Sequence, residues 1–492
     1  MYYYKKYYLS SIKNLRTKNT FFKYFNYKKT YSESFMFSEK ILKYLKHNKL
    51  QNKKILTFSN KSFEMYSSIF PILVSNNTWI PLSINLPVEK IKNIIKQTKP
   101  DLCFYDHKNT QAINVLKKEK IKCLKFKQIH HVKIKVDFLK EIENLDINSI
   151  AFIYFTSGST GMPKGIKVSH KNIIADVYDQ KHHLYKNKTK NLIFGDYYDT
   201  AFSIFFDIFF PAIFFGSTIS PSIKKSDNFY LINHYKKNKI NNLIAVPSTF
   251  ERIKELLLSS NTKLKGKNLI LTGEPFYLNL LGFLFKKANF KNIFNCYGGT
   301  EMGNWVFYHE CFNNDLKKYE KFNLVPIGKP FKSVYKKIVN NELVVKGPMI
   351  TQGYTEKNLN KKKFIFNKLN TFFTGDKIIK TNNIYVCKGR NDNMVKISGY
   401  RIEIADVEAN FRKLGYIKDV VIFEKKSDKI YQNSLIAVVA VSKPKHENII
   451  RNDLMKYLSL YMIPKKIHIL KKLPKNSNGK LDRLEIKKKY IY

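Results

Sequence analysis

Short apolar runs, each opening into a polar or glycine-containing turn, recur along the chain and alternate with stretches whose apolar residues fall at helical spacing. Residues 54–58, 78–82, 100–105, 150–155, 191–194, 242–246, 269–272 and 292–296 have the first pattern, that of buried strands. Phe35, Ile41, Leu42 and Leu45, then residues 88–97 and 170–184, have the second. The alternation predicts a parallel α/β sheet. Residues 200–219 are the one membrane-like stretch, but Asp207 and Pro211 inside it and strand-like flanks make it a buried helix. Residues 341–390 break into short β segments with turns. Beyond them, strands at 416–423 and 435–441 alternate with helices opening near Val407 and spanning 448–458.

One of these runs empties into an unusual loop. Residues 150–155 lead into Thr156, Ser157, Gly158, Ser159, Thr160 and Gly161, closed by Lys164 and Gly165. Hydroxyl donors, a backbone freed by glycine and one cation are what a polyphosphate needs around it. The spacing is not that of a P-loop, because Met162 and Pro163 stand where that motif has Gly directly before Lys. On composition alone the loop reads equally as a Ser/Gly-rich surface loop.

The full run, Tyr154-Phe-Thr-Ser-Gly-Ser-Thr-Gly-Met-Pro-Lys-Gly165, resembles the signature loop of the adenylate-forming superfamily, which includes acyl-CoA synthetases, luciferases and nonribosomal-peptide adenylation domains. Further motifs follow in the family's order. They are Val246-Pro-Ser248, the Gly273-Glu274-Pro275 turn, Tyr297-Gly-Gly-Thr-Glu301 with Gly299 where Pro is usual, and Thr374-Gly-Asp376. Residues 389–403, Gly-Arg-Asn-Asp-Asn-Met-Val-Lys-Ile-Ser-Gly-Tyr-Arg-Ile-Glu, resemble the hinge. Residues 473–483 resemble the C-terminal lysine motif, with Asn476 at a position usually Thr. The resemblance covers roughly residues 35–485. It implies a large N-terminal domain, 1–391, of packed α/β sheets with a β-barrel-like portion. A small α+β domain, 392–492, would move on a hinge at Asp392 as a lid.

The resemblance also implies residue roles. Thr156, Ser157, Gly158, Ser159, Thr160, Gly161 and Lys164 would surround the β- and γ-phosphates of ATP, Thr300 would touch the α-phosphate, and Glu301 would help hold Mg²⁺. Tyr297 and the Gly273-Glu274 turn would bracket adenine, and Asp376 and Arg390 would fix the ribose. Lys480 would stabilise charge developing between carboxylate and phosphate. Asp392, Lys396 and Gly399 would serve the hinge and a channel for a pantetheine thiol. His170 is expected to flank the loop as a surface or capping residue.

For the acid, the family register places Ser203, Asp207, Ile270, Thr272, Cys296 and Asn304 around the acyl group. Ser203 stands where amino-acid-activating members carry an Asp that pairs with the ammonium. Asp207 lies one helical turn further on the same face and offers a substitute anchor, or else is a partnered or protonated buried acid. The pocket is mixed rather than greasy, which disfavours a long fatty acid.

Composition changes this picture little. The chain has 492 residues, 44% hydrophobic and 15% aromatic, enough for two or more folded domains. Net charge is +50, from 88 Lys and Arg of which only seven are Arg. Scattered Lys with abundant Asn, Ile, Tyr and Phe follow AT-rich codons, so charge alone does not imply nucleic acid. A basic surface would still suit ATP or an acidic carrier protein. The five cysteines, at 103, 123, 296, 311 and 387, form no CxxC pair and no zinc spacing, as expected of reduced thiols in the cytoplasm. Residues 1–32 contain no acidic residue and read as a biased N-terminus rather than a targeting segment.

The sequence therefore points to an ATP-dependent, AMP-forming ligase that loads an amino acid or similar small acid onto the phosphopantetheine of a carrier protein, most like the free-standing D-alanine/amino-acid carrier-protein ligases. No carrier segment follows Lys480, so the carrier is expected to be a separate protein. Two alternatives stand beside it: an acyl-CoA ligase of the same fold, and a non-catalytic basic protein that binds nucleic acid.

Overall fold

The computed structural model describes the chain except for residues 1, 107–109, 157–161, 224–227, 260–262, 382–383, 391–393, 398, 426, 428–431, 475–480 and 492. It divides into two compact units. One holds Met1–Ile84, Thr98–Tyr154 and Gly165–Asn391; the other holds Asn85–Gln97, Phe155–Lys164 and Asp392–Tyr492.

The larger unit is built on two α/β sheets. In the nine-stranded sheet, Ala288–Gly299, Leu264–Thr272, Asn242–Ala245, Ile193–Asp196, Thr218–Pro221 and Thr20–Tyr24 run parallel in that spatial order. Antiparallel strands finish both edges. A six-stranded sheet contains Lys122–Lys125, Leu102–Tyr105, Lys54–Phe58, Thr78–Leu82, Ile150–Thr156 and Lys164–Ser169. Leu102–Tyr105 is buried at every position, as covering both faces of a parallel sheet requires. The strands expected at 54–58 and 78–82 have those bounds. The Val246-Pro-Ser248 segment is more than a turn: Pro247, whose missing N–H costs nothing in a first helical turn, opens the helix Pro247–Ser259.

The apolar stretch at 200–219 contains the helix Ile204–Phe215, with every side chain from Ile204 to Phe214 buried. It is too short to span a bilayer, and no described helix is long and apolar enough to do so. Part of its cover comes from the N-terminus. The helix Tyr2–Leu15 lays Tyr7, Tyr8, Ile12 and Leu15 into the core, and Asn14 Nδ2 donates to Ile213 O at 3.1 Å. Tyr8 also shares a 2.6 Å hydrogen bond with His170 Nδ1. His170 is therefore no surface or capping residue: it is fully buried, burial holds its pKa down to about 3, and Ser169 does the capping.

The expected barrel-like portion is an open sheet. Tyr335–Val339, Glu342–Lys346, Thr371–Thr381, Phe364–Ile365 and Ile384–Arg390 pair as antiparallel neighbours without closing. One strand has only two residues, and the Tyr335–Val339 edge exposes Lys336 and Lys337 to water, which blunts further pairing.

In the smaller unit, Ile417–Lys425 and Ser434–Val441 form an antiparallel pair extended in parallel by Lys466–Leu470. Helices Ile404–Arg412 and Glu447–Leu454 contribute Val407, Phe411, Ile450 and Leu454 to its core. Glu408 is buried and takes the Ile422 N–H at 3.0 Å and the Arg483 guanidinium at 2.8 and 2.9 Å.

The strand Ala288–Gly299 turns back through Thr300–Met302 into Asn304–Glu310. This hairpin closes on Gly298, where a Cβ would sit 1.6 Å from the Asn304 carbonyl oxygen. At Gly299 the nearest neighbour of a Cβ would be the flexible Met302 Cε, at 3.2 Å. Gly298→Ala is expected to destabilise the larger unit by about 3 kcal/mol or more, whereas Gly299→Ala changes stability by less than about 1 kcal/mol. Thermal unfolding of the two variants beside the parent checks the contrast; equal losses would contradict it.

Candidate functional site

Adjacent parallel strands Leu264–Thr272 and Ala288–Gly299 put Thr272 and Cys296 in register near their carboxyl ends, with Ile270 two residues before Thr272. In an open α/β sheet, that end is where ligands bind. Ile270, Thr272 and Cys296 are all buried. Beyond Thr272 the chain turns at Gly273, with φ of +85°. The Glu274 carboxylate accepts the Ser248 N–H at 2.8 Å and its hydroxyl at 3.1 Å, which ties this turn to the start of the neighbouring helix.

The hairpin after Cys296 carries the next group. Tyr297 donates its hydroxyl to Asp376 Oδ2, and Arg390 Nη1 reaches Asp376 Oδ1 at 2.7 Å. Asp376 and Arg390 are register partners on antiparallel strands, so the pairing itself holds the ion pair together. Asp376 follows a tight turn: Gly375 has φ of +75°, and its N–H is held by Glu342 Oε1 at 2.7 Å. Burial, then the charge of Asp376, pushes the Tyr297 phenol well above its usual range, so it remains a donor.

Glu301 is buried in the short turn Thr300–Met302. Its Oε1 accepts the Tyr354 hydroxyl at 2.9 Å, while Thr351 anchors its backbone carbonyl. The hairpin thus sends Tyr297 to Asp376 and Glu301 to Tyr354. From the same hairpin, Asn304 Nδ2 reaches Asp207 Oδ1 at 3.4 Å.

Asp207 is buried in the helix Ile204–Phe215, one turn beyond Ser203, which stands at the helix N-cap without a capping hydrogen bond. Gln180 Nε2 also donates to Asp207 Oδ1, at 3.0 Å, and to Asp176 Oδ2 at 2.7 Å. Burial raises both carboxyls well above the carboxylate range; amide donors work against this, and at Asp176 the charge of Asp207 adds to it. The Cys296 thiol is raised for the same reasons, burial first and Asp207 next. Sequence reasoning missed Asp176, Gln180 and Tyr354. The helix held a signal for the first two: polar residues four apart on a face whose neighbours, Ile173 and Val177, are core.

In the smaller unit, the Lys164 ammonium pairs with Glu403 at 2.9 Å, and Arg401 lies 3.5 Å from the same carboxylate. The Thr156 hydroxyl is buried with no hydrogen-bond partner. Lys396 pairs in register with Arg401 across a hairpin whose turn has Gly399 at φ of +80°. Ser157, Gly158, Ser159, Thr160, Gly161, Asp392 and Lys480 lie outside the described residues.

Among the described residues, His309, Cys311 and Asp315 form the one group with donors close enough to share a metal. They already satisfy one another: Asp315 Oδ2 bonds His309 Nε2 at 2.8 Å and the Phe312 N–H at 2.9 Å. Glu301 is not part of that group.

Comparison with known proteins agrees with the motifs. The profile of the family described as AMP-binding enzyme matches residues 13–355. The D-alanine–D-alanyl carrier protein ligase of Lactococcus lactis subsp. lactis (strain IL1403) is 28% identical over 478 residues, 94% of each chain. The Vibrio cholerae adenylation domain AlmE, solved with glycyl-adenosine-5'-phosphate, superposes with a TM-score of 0.81 at 20% identity, over 98% of this chain and 97% of its own. The o-succinylbenzoate CoA synthetase of Bacillus subtilis does so with a TM-score of 0.81 at 17% identity, over 97% and 98%. At such identities the two structures speak for the fold, and the profile speaks for the family. The chain belongs to the AMP-binding enzyme family.

Proposed function

We propose that the protein activates a small carboxylic acid with ATP, as an acyl-adenylate with release of pyrophosphate, and transfers the acyl group to the phosphopantetheine thiol of a separate carrier protein. The observation that carries this reading is the match to a D-alanine–D-alanyl carrier protein ligase over 94% of both chains.

The chemistry joins two anions, so the task of the protein is to neutralise charge and hold an in-line geometry. Asp376, fixed from two sides by Tyr297 and Arg390, is the acceptor for the ribose diol: a carboxylate can take two hydroxyl hydrogen bonds. Tyr297 and the Gly273-Glu274 turn flank adenine. Thr300 contacts the α-phosphate, and the loop from Thr156 to Lys164 holds the outer phosphates. Lys164 must exchange Glu403 for phosphate to do so.

Glu301 suits Mg²⁺, since it is a buried carboxylate that offers hard oxygens. When bound, the ion would neutralise phosphate charge. Lys480 stabilises the charge that develops as the acid attacks the α-phosphorus, and residues 392–492 act as a lid that turns about Asp392, with Lys396 and Gly399 lining the thiol's approach. Ser203, Asp207, Ile270, Thr272, Cys296 and Asn304 surround the acid. The cytoplasm, where ATP and reduced thiols occur together, is the proposed location.

ATP–pyrophosphate exchange across small amino acids, hydroxy acids and short fatty acids tests the reading. Exchange with one acid, followed by thioester formation on a carrier protein in preference to free CoA, is the expected result; preference for CoA would make the protein an acyl-CoA ligase. Asp376→Ala should raise the KM for ATP by about tenfold to a hundredfold and leave the KM for the acid far less affected. Lys480→Ala should abolish adenylation while ATP binding, measured directly, persists; an unchanged exchange rate would remove Lys480 from the chemistry.

A further inference from the structure

The crossover from Leu102–Tyr105 through the helix Thr110–Lys118 to Lys122–Lys125 returns Cys123 to a place beside Cys103. The two are register partners on adjacent parallel strands. Partners of this kind project from the same face of a sheet, on strands about 4.7 to 4.9 Å apart. A disulfide joins Cα atoms about 4.4 to 6.8 Å apart, so the pairing lies within its range. It also asks for Cβ atoms about 3.5 to 4.5 Å apart. Lys122–Lys125 can lean that far, because it has four residues and ends the sheet, paired on one side only.

The two thiols differ in access and in acidity. Cys103 is fully buried, whereas Cys123 is partly exposed on the edge strand. The hydrogen bond from the Cys103 thiol holds the Cys123 thiol below its ordinary range; burial opposes this, and the charge of Lys117 adds to it. Burial keeps Cys103 itself well above that range, so it stays protonated. The other three cysteines lack this combination. Cys296 and Cys311 are buried, and burial raises both thiols well above their usual range, as in inert core positions. Cys387 is partly exposed, but its register partner is Ile378. An accessible, acidified thiol with a second thiol opposite it is the arrangement of a redox-sensitive pair.

We propose that Cys103 and Cys123 are a modification site, a dithiol that hydroperoxides convert to a disulfide across the edge of the six-stranded sheet. The Cys123 thiolate attacks one peroxide oxygen and the O–O bond breaks. The leaving alkoxide or hydroxide takes a proton from solvent, and Cys123 becomes a sulfenic acid. The Cys103 sulfur then attacks the Cys123 sulfur, the S–O bond breaks, and the Cys103 proton leaves with the hydroxyl as water. Two thiols are thus oxidised to one disulfide while the peroxide is reduced to an alcohol and water, or to two waters if it is hydrogen peroxide. Cys103 needs no access to solvent, because it meets the oxidant only as the neighbouring sulfenic acid. In a reducing compartment the dithiol is the resting state and the disulfide is transient. Closure depends on the sheet alone and holds whichever acid the protein activates.

The test treats the full-length protein with hydrogen peroxide, blocks the remaining thiols and maps the peptides by mass spectrometry. The expected product is a cross-linked pair of peptides carrying Cys103 and Cys123, with the intact mass lower by two hydrogens and restored by dithiothreitol. Cys123→Ser should abolish it, and Cys103→Ala should instead let dimedone capture Cys123 as the sulfenic acid. Iodoacetamide should label Cys123 in the untreated protein at least about tenfold faster than Cys296 or Cys311.

Oxidation of Cys123 to a sulfinic acid in the parent, with no cross-link, would overturn the pair. So would a disulfide joining either cysteine to a different one, or excess peroxide that leaves both Cys103 and Cys123 reduced. The peptide map of the parent decides among these by itself, even where a variant fails to fold.

Discussion

The hairpin 288–310 can close only because Gly298 has no side chain, and three functional directions depend on that closure. With the Asn304 carbonyl 1.6 Å from where a Cβ would stand, the two strands approach as closely as backbone allows. From this one turn Tyr297 reaches Asp376, Glu301 reaches Tyr354 and Asn304 reaches Asp207. The proposed nucleotide, metal and acid positions are thus fixed relative to one another by one paired hairpin, with side chains supplying the chemistry. This is the precision that a reaction between two anions demands.

Charge is handled differently inside and outside the fold. Lysine accounts for most of the surplus of +50, whereas five of the seven arginines lie against carboxylates. Arg390 holds Asp376, Arg483 and Arg412 hold Glu408, Arg401 lies by Glu403 and Arg451 by Glu447. The guanidinium fork fixes a carboxylate's orientation where an ammonium gives only attraction. Asp176 and Asp207 stand apart from this pattern as buried acids without a resident cation.

Much of this was legible in the sequence because buried parallel strands leave an unmistakable apolar run. Strands Lys54–Phe58 and Thr78–Leu82 were placed to the residue, and the family was readable from loop motifs whose spacing is set by ligand geometry. What stayed hidden lies in contacts distant along the chain. Nothing local marks His170 as buried, because its cover is Tyr8, 162 residues away. The tyrosines and lysines of the N-terminal helix read as codon bias and concealed the helical spacing of Tyr7, Tyr8, Ile12 and Leu15. The barrel-like portion was implied by the family resemblance alone: the periodicity of the short β segments at 341–390 reports which face of a strand is buried and is silent on how the edges meet, and the sheet is open.

The N-terminal helix also sets an order of events during synthesis. Asn14 bonds to a carbonyl 199 residues further along, and Tyr7 and Tyr8 pack on Phe214 of that same distant helix. At ribosomal speeds that separation is about 10 to 40 s. Until then Tyr7 and Tyr8 lack Phe214, although Phe70 and His170, which also pack on Tyr8, are made earlier. The larger unit therefore completes its core late, when a segment made near the start meets one made near the middle.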